Sequence, residues 1–287
     1  MTNDGPFGPV VNGTQIVFYE YRPNQPAAIT FIALFGLATL AHLVCTFILR
    51  AWFFIPFVLG GICETFGYVG RAWSHKDPAR PGPFILQNVL LLAGPPFLAA
   101  TVYMSLGRVT TALNAQHLSK ISTRWMTKIY VIIDIACIFS QFIGALMPVN
   151  GDEESIRKGH TIIIVGLVVQ LGALSFFILT SWYIYWGIMR DPTNLSMNKL
   201  LGNWRKCFRA IEIVTVIMIV RGVVRAAEFL QGEGGYVISH EAFIYAFDAA
   251  LMFMIMVVFA IVHPGRLVRA NIRSMNLAQD TMLQNLQ

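Results

Sequence analysis

Between residues 27 and 262 the chain consists almost entirely of apolar runs, each close to the twenty residues a helix needs to cross roughly 30 Å of hydrocarbon. Seven runs are read, at 27–49, 52–73, 84–107, 127–148, 161–187, 208–230 and 241–262. They are continuous rather than short and alternating, which predicts helices and not the strands of a membrane barrel. Charged residues make up 13% of the chain, about half the share of an ordinary soluble domain. The sequence therefore predicts an all-α polytopic membrane protein, a seven-transmembrane helix bundle over 27–264, with tails at 1–26 and 265–287.

Seven crossings put the two tails on opposite faces. One face collects thirteen Lys and Arg residues outside the spans, including Arg108, Arg190, Arg205, Lys206, Arg209, Arg266, Arg269 and Arg273; the other collects six. The richer face is expected to be cytoplasmic, which makes the N-terminal tail extracellular or lumenal and the C-terminal tail cytoplasmic. Asn12-Gly13-Thr14 then becomes a glycosylation sequon on the accessible side, with Asn12 as acceptor, while Asn194-Leu195-Ser196 stays bare. The first 26 residues lack the basic start and short apolar core of a cleavable signal, so the first span is expected to serve as the targeting signal. The net charge of +6 is accounted for by attraction of the basic loops to anionic lipid, and no nucleic-acid partner is expected.

Charges inside the runs carry the functional information. Arg221, Arg225 and Glu228 stand at i, i+4 and i+7 and share one helical face. Glu64, Tyr68 and Arg71 repeat the pattern in the second run, and Glu241, Tyr245 and Asp248 in the seventh. Gln87, Gln141 and Gln170 add neutral polar groups, and Asp134 stands apart toward the inner half. A charge at mid-bilayer costs about 2.5–3.5 kcal/mol even on an insertion scale, so these groups must meet one another or water. Two readings are open: an ion-pair network that fixes helix packing, or a polar pocket in the outer half that grips an amphiphile's head group. Pro56 and the pair Pro95-Pro96 are expected to kink their helices or free backbone carbonyls. His263, before Pro264-Gly265, reads as a capping group at the end of the last span.

Several classes are excluded. The six histidines form no HxxxH pair and the four cysteines no CxxC, so no metal site is expected, and no cofactor. No glycine-rich phosphate loop appears, and the last run has no Lys for a retinal Schiff base.

From about Tyr19 to Gly265 the chain resembles the fungal seven-span family of lipid-translocating exporters. The resemblance rests on "YEYRPN", "ETFGYVGR", "PFILQNVLLLAGPPFLAATVYMSLGR", Asp134 with Gln141, Gly166 with Gln170, "RGVVRAAEFLQGEGGY", "EAFIYAFDA" and "HPG", in that order. It implies a membrane bundle linked to lipid movement or tolerance of toxic amphiphiles, such as sphingoid bases, in the plasma membrane or an endomembrane. It supplies no catalytic residues. The leading expectation is a translocator whose head-group site draws on Glu64, Tyr68, Arg71, Gln87, Gln141, Gln170, Arg221, Arg225, Glu228, Glu241, Tyr245 and Asp248, with Asp134 as a proton-coupling residue and membrane lipids or amphiphilic small molecules as partners. The alternative is a metal-free membrane enzyme, an isomerase, cyclase or hydrolase, using the same carboxylates as acids and bases.

Overall fold

The computed structural model describes residues 6–8, 10–11, 14–15, 17–118, 123–147, 153–192, 203–231 and 235–284. Asn12 and Asn194, the two sequon residues, lie outside them. The chain forms α1 (Gln25–Leu49), α2 (Ile55–Ser74), α3 (Pro81–Ala112), α4 (Thr123–Leu146), α5 (Glu153–Arg190) and α6 (Trp204–Gln231). Two short helices come next, α7 (Tyr236–Ser239) and α8 (Glu241–Phe243), then a π-helical segment (Ile244–Ala249), α9 (Ala250–Ile261) and α10 (Pro264–Gln284). Apart from helices, the described residues hold a ladder of two-residue strands in the tail, Val10–Val11 against Thr14–Gln15.

Six stretches are long and apolar enough to cross a membrane: Gln25–Leu49, Trp52–Ser74, Pro81–Ala112, Trp125–Gly144, Arg157–Arg190 and Glu241–Arg273. Their outward faces carry large apolar side chains such as Leu37, Phe47, Phe139, Val168, Leu179 and Ile261, the arrangement of a molecule solvated by lipid. This is an integral, multi-pass membrane protein. The remaining long helix, α6, has 28 residues but carries Arg205, Lys206, Arg209, Glu212, Arg221, Arg225 and Glu228. These seven charged residues outnumber those of any of the six stretches.

Local sequence explains most helix boundaries. Asn24 caps α1, its side chain accepting from the Ala27 amide at 3.0 Å, with Pro26 in the first turn where a missing N–H costs nothing. Pro56 was expected to kink the second span. It sits instead in the first turn of α2, after a 3-10 turn at Trp52–Phe54, so it starts the helix rather than bending it. α3 runs as one 32-residue helix through Pro95 and Pro96. Proline has no amide to give, so the carbonyl four residues before Pro95, that of Leu91, is left without its intrahelical partner. The residues expected as a C-terminal tail are helical as far as Gln284, and the Arg269 side chain of α10 donates to the Ile48 carbonyl of α1 at 2.6 Å. His263 behaves as a cap: the Gly265 amide donates to its Nδ1 at 3.1 Å.

α2 and α3 pack closely because glycines line their contact. A Cβ on Gly60 would lie 3.0 Å from the Gly94 carbonyl, one on Gly67 2.6 Å from Leu91 Cδ2, and one on Gly70 2.9 Å from the Gln87 backbone nitrogen. Without water between helices, van der Waals contact at small residues is a main source of association in a bilayer. At Gly70 the obstacle is backbone, which cannot rotate away. Gly70→Val should therefore lower the stability of the detergent-purified protein by about 1–3 kcal/mol, read as a fall in Tm; an unchanged Tm would show that α2 and α3 do not pack this closely.

Candidate functional site

The charged stripes of α2, α6 and α8–α9 meet inside the bundle, in two linked groups. The deeper group centres on Asp248, 4% exposed. Its Oδ1 lies 2.5 Å from Arg221 Nε and its Oδ2 3.5 Å from Arg225 Nη2. Arg225 Nη1 also donates to Glu228 Oε2 at 3.1 Å. Arg221 Nη2 donates to the Leu91 carbonyl at 3.4 Å, the acceptor that Pro95 leaves free. A proline in one helix thus equips the site for an arginine from another.

Asp248 reaches both arginines from within the π-helical segment, where the Ala250 amide bonds back five residues to the Tyr245 carbonyl. A π turn adds a residue to the helical repeat and rotates the helix beyond it, a feature common at functional sites. Nothing in "IYAFDA" announces it, since the stretch has neither Gly nor Pro.

Glu64 completes the deeper group. It is 0% exposed, neither oxygen has a hydrogen-bond partner among the described residues, and its charged neighbours are Arg221, Arg225 and Asp248. Its carboxyl rests against α3 at Gly94, where a Cβ would lie 2.5 Å from Oε1. Any larger residue at that position would displace it.

The second group closes the tail end of the bundle. Arg71, 1% exposed, donates through Nη2 to Glu241 Oε1 at 2.8 Å and to the Tyr21 hydroxyl at 3.2 Å, and through Nε to the Tyr245 hydroxyl at 3.0 Å. Tyr245 in turn donates to the Asn24 carbonyl at 3.2 Å, and the Asn24 amide donates to Glu241 Oε1 at 2.6 Å. Nearby, the Tyr19 hydroxyl donates to Gln87 Oε1 at 2.9 Å and lies 3.0 Å from Ser74 Oγ, while His75 Nδ1 donates to the Pro23 carbonyl at 2.7 Å. Burial pushes the phenols of Tyr19 and Tyr21 up from their usual range, so both stay neutral around pH 7. Residues 19–24 are therefore a strap across the mouth of the bundle. By composition the tail is only a polar leader; "YEYRPN" is the signal of something more, but the strap's backbone partners leave no mark in sequence.

The remaining residues expected at the site separate from these groups. Gln87 is held by the strap. Gln141 donates to Gln170 Oε1 at 3.4 Å, pairing α4 with α5, and of the two only Gln170 borders a cavity next to Arg221. The Tyr68 hydroxyl makes no hydrogen bond to the described residues; the ring stacks with Phe31 and Phe35 at 5.6 Å each. Asp134 is buried beside Tyr103 of α3, and neither makes a close hydrogen bond to the described residues. Among the described residues no cluster of His, Cys, Asp and Glu could hold a metal.

Two cavities adjoin the deeper group. One, of about 50 Å³, is bordered by Tyr21, Arg221, Arg225, Glu228, His240 and Asp248 among others. The other, of about 30 Å³, is bordered by Pro95, Gln170, Leu174, Met218, Arg221 and Met252 among others. Both are far smaller than the several hundred Å³ of a site for a small organic ligand. In this form the bundle is closed around its own side chains.

A family model described as "RTA1 like protein" matches residues 57–271. Three curated proteins of Saccharomyces cerevisiae are similar. Protein RTA1 is 31% identical over 271 residues, covering 86% of this chain and 84% of its own length. Protoporphyrin uptake protein 1 is 32% identical over 281 residues, covering 85% and 91%. Sphingoid long-chain base transporter RSB1 is 26% identical over 276 residues, covering 85% and 72%. No solved structure matches the chain.

If the strap is held by the ion pair, Glu241→Gln weakens it without disturbing the Asp248 group. Amide hydrogen exchange of a peptide spanning residues 17–25 should then speed up while that of α6 is unchanged; unchanged exchange in the tail would contradict the clamp.

Proposed function

The chain belongs to the RTA1-like family, and from that premise we propose that it carries amphiphiles across a membrane, or protects against toxic ones, by passing a polar head group through the ionic cluster of α2, α6 and the π-helical segment. The observation that carries this reading is the ion pairing of Arg221 and Arg225 with Asp248 in the bundle interior, with a cavity on either side of it. A cluster that only fixed packing would have its charges matched. This one sets two arginines against three carboxylates and leaves Glu64 without a hydrogen bond from the described residues.

Mixed charge suits mixed substrates. One relative is named for uptake of protoporphyrin, an amphiphile with carboxylates, and another for transport of sphingoid bases, amphiphiles with an amine. In this chain Arg221 and Arg225 would meet an acidic group, and Glu64, with Asp248, Glu228 and Glu241 as their arginines release them, a cationic one. α6 would be the seventh span, balancing its charges against α9, with the N-terminal tail outside and the C-terminal helix in the cytoplasm, as the basic residues favour. Asn12 would then be open to glycosylation. Asp134, buried beside Tyr103, is the residue proposed to couple protons. The membrane would be the plasma membrane or an endomembrane.

The test is flux of a labelled sphingoid base in proteoliposomes. Asp248→Asn and Glu228→Gln should each lower the rate about tenfold, the loss of one charge-assisted contact. Flux equal to that of the unmodified protein in both variants would remove the cluster from the path.

A further inference from the structure

Arg221 borders both cavities, and among the described residues no other does. On the tail side lies the 50 Å³ cavity with Tyr21, Arg225, Glu228 and His240; deeper lies the 30 Å³ cavity with Pro95, Gln170, Leu174 and Met252. Arg221 is thus the residue that the two cavities share along α6. Two contacts hold it there, the Asp248 carboxylate from the π-helical segment and the Leu91 carbonyl from α3. Both belong to helices that pack against α6, so the side chain is fixed at its far end.

A second carboxylate stands ready. Glu64 of α2 feels the charge of Arg221, is fully buried, and has no hydrogen bond to either oxygen from the described residues. We propose that Arg221 is the gate between the two cavities, closed when its guanidinium is on Asp248 and open when it swings to Glu64. This rests on the transport reading above.

Exchange of partners meets the main physical objection to moving a charge within a membrane. A lone arginine in hydrocarbon costs several kcal/mol, whereas one passed from one carboxylate to another stays paired. Arg225 holds Asp248 and Glu228 in both positions, so Asp248 keeps a partner when Arg221 leaves. Gly94 provides the recess that holds Glu64 in place.

The experiment uses the full chain with Cys45, Cys63, Cys137 and Cys207 replaced by alanine and Leu174→Cys as a reporter in the deeper cavity. A membrane-impermeant thiol reagent is applied to the face that bears the N-terminal tail, identified by a tag. With Arg221 present the reporter should react slowly; Arg221→Ala should raise the rate about tenfold or more, as loss of a closing contact shifts the open population. Should Arg221→Ala not fold, Asp248→Asn frees the same side chain and should raise the rate too. Glu64→Gln should keep labelling slow and lower amphiphile flux. Equal labelling with and without the Arg221–Asp248 pair overturns the gate, as does normal flux in Glu64→Gln. If the unmodified protein carries no flux while labelling still depends on Arg221, the transport reading falls and the gate stands.

Discussion

A buried arginine must keep company with a carboxylate, and this requirement ties the bundle together at Arg71, Arg221 and Arg225. α6 carries Arg221 and Arg225 on one face, one helical turn apart, which makes it the long helix least suited to lipid by composition. A single residue, Asp248, answers both, one oxygen to each. Without it Arg221 would keep, among the described contacts, only the Leu91 carbonyl, and an uncompensated buried charge of that kind costs about 3–5 kcal/mol; Arg225 would still have Glu228. The cost falls on the bundle as a whole, since α6 and the π-helical segment must be docked for the pairing to exist. The same logic repeats at the tail end, where Arg71 and Glu241 draw α2, α8 and the N-terminal strap together.

Much of this was legible in the sequence, for a definite reason. Hydrocarbon thickness sets the length of a crossing helix, and helical periodicity sets which charges share a face; the cost of a charge in hydrocarbon then points Glu64, Arg221, Arg225 and Asp248 toward one another. Groups that choose among several partners do not. Gln87 could have joined the central cluster; the tail's Tyr19 takes it instead. Tyr68 shares a face with Glu64 and Arg71, yet stacks between phenylalanines. Pro56 and Pro95 carry the same chemical deficiency with different outcomes: one starts a helix, the other frees the Leu91 carbonyl for Arg221. The π turn at Ile244–Ala249 is the least legible of all, being a tertiary compromise that no residue type marks.

Close packing and the ion pairs act in the same direction. Glycines let α2 settle against α3, which places Glu64 against Gly94 and next to the arginines. The result is a site with a full set of charged groups and room for little more than water. On the proposed function, a head group would enter only where side chains trade partners and the bundle loosens. The proposed transport would need a second arrangement of these pairs, because a rigid, fully matched network has no second state to occupy.

Arg221 and Asp248 stabilise one another within the bundle. A double-mutant cycle measures this directly, with Arg221→Leu, Asp248→Leu and the pair together, each followed by unfolding in detergent. Mutual pairing requires the double variant to be more stable than the two single losses summed, by about 1–3 kcal/mol. Losses that simply add would mean that the two groups do not meet, and that neither holds the other in the bundle.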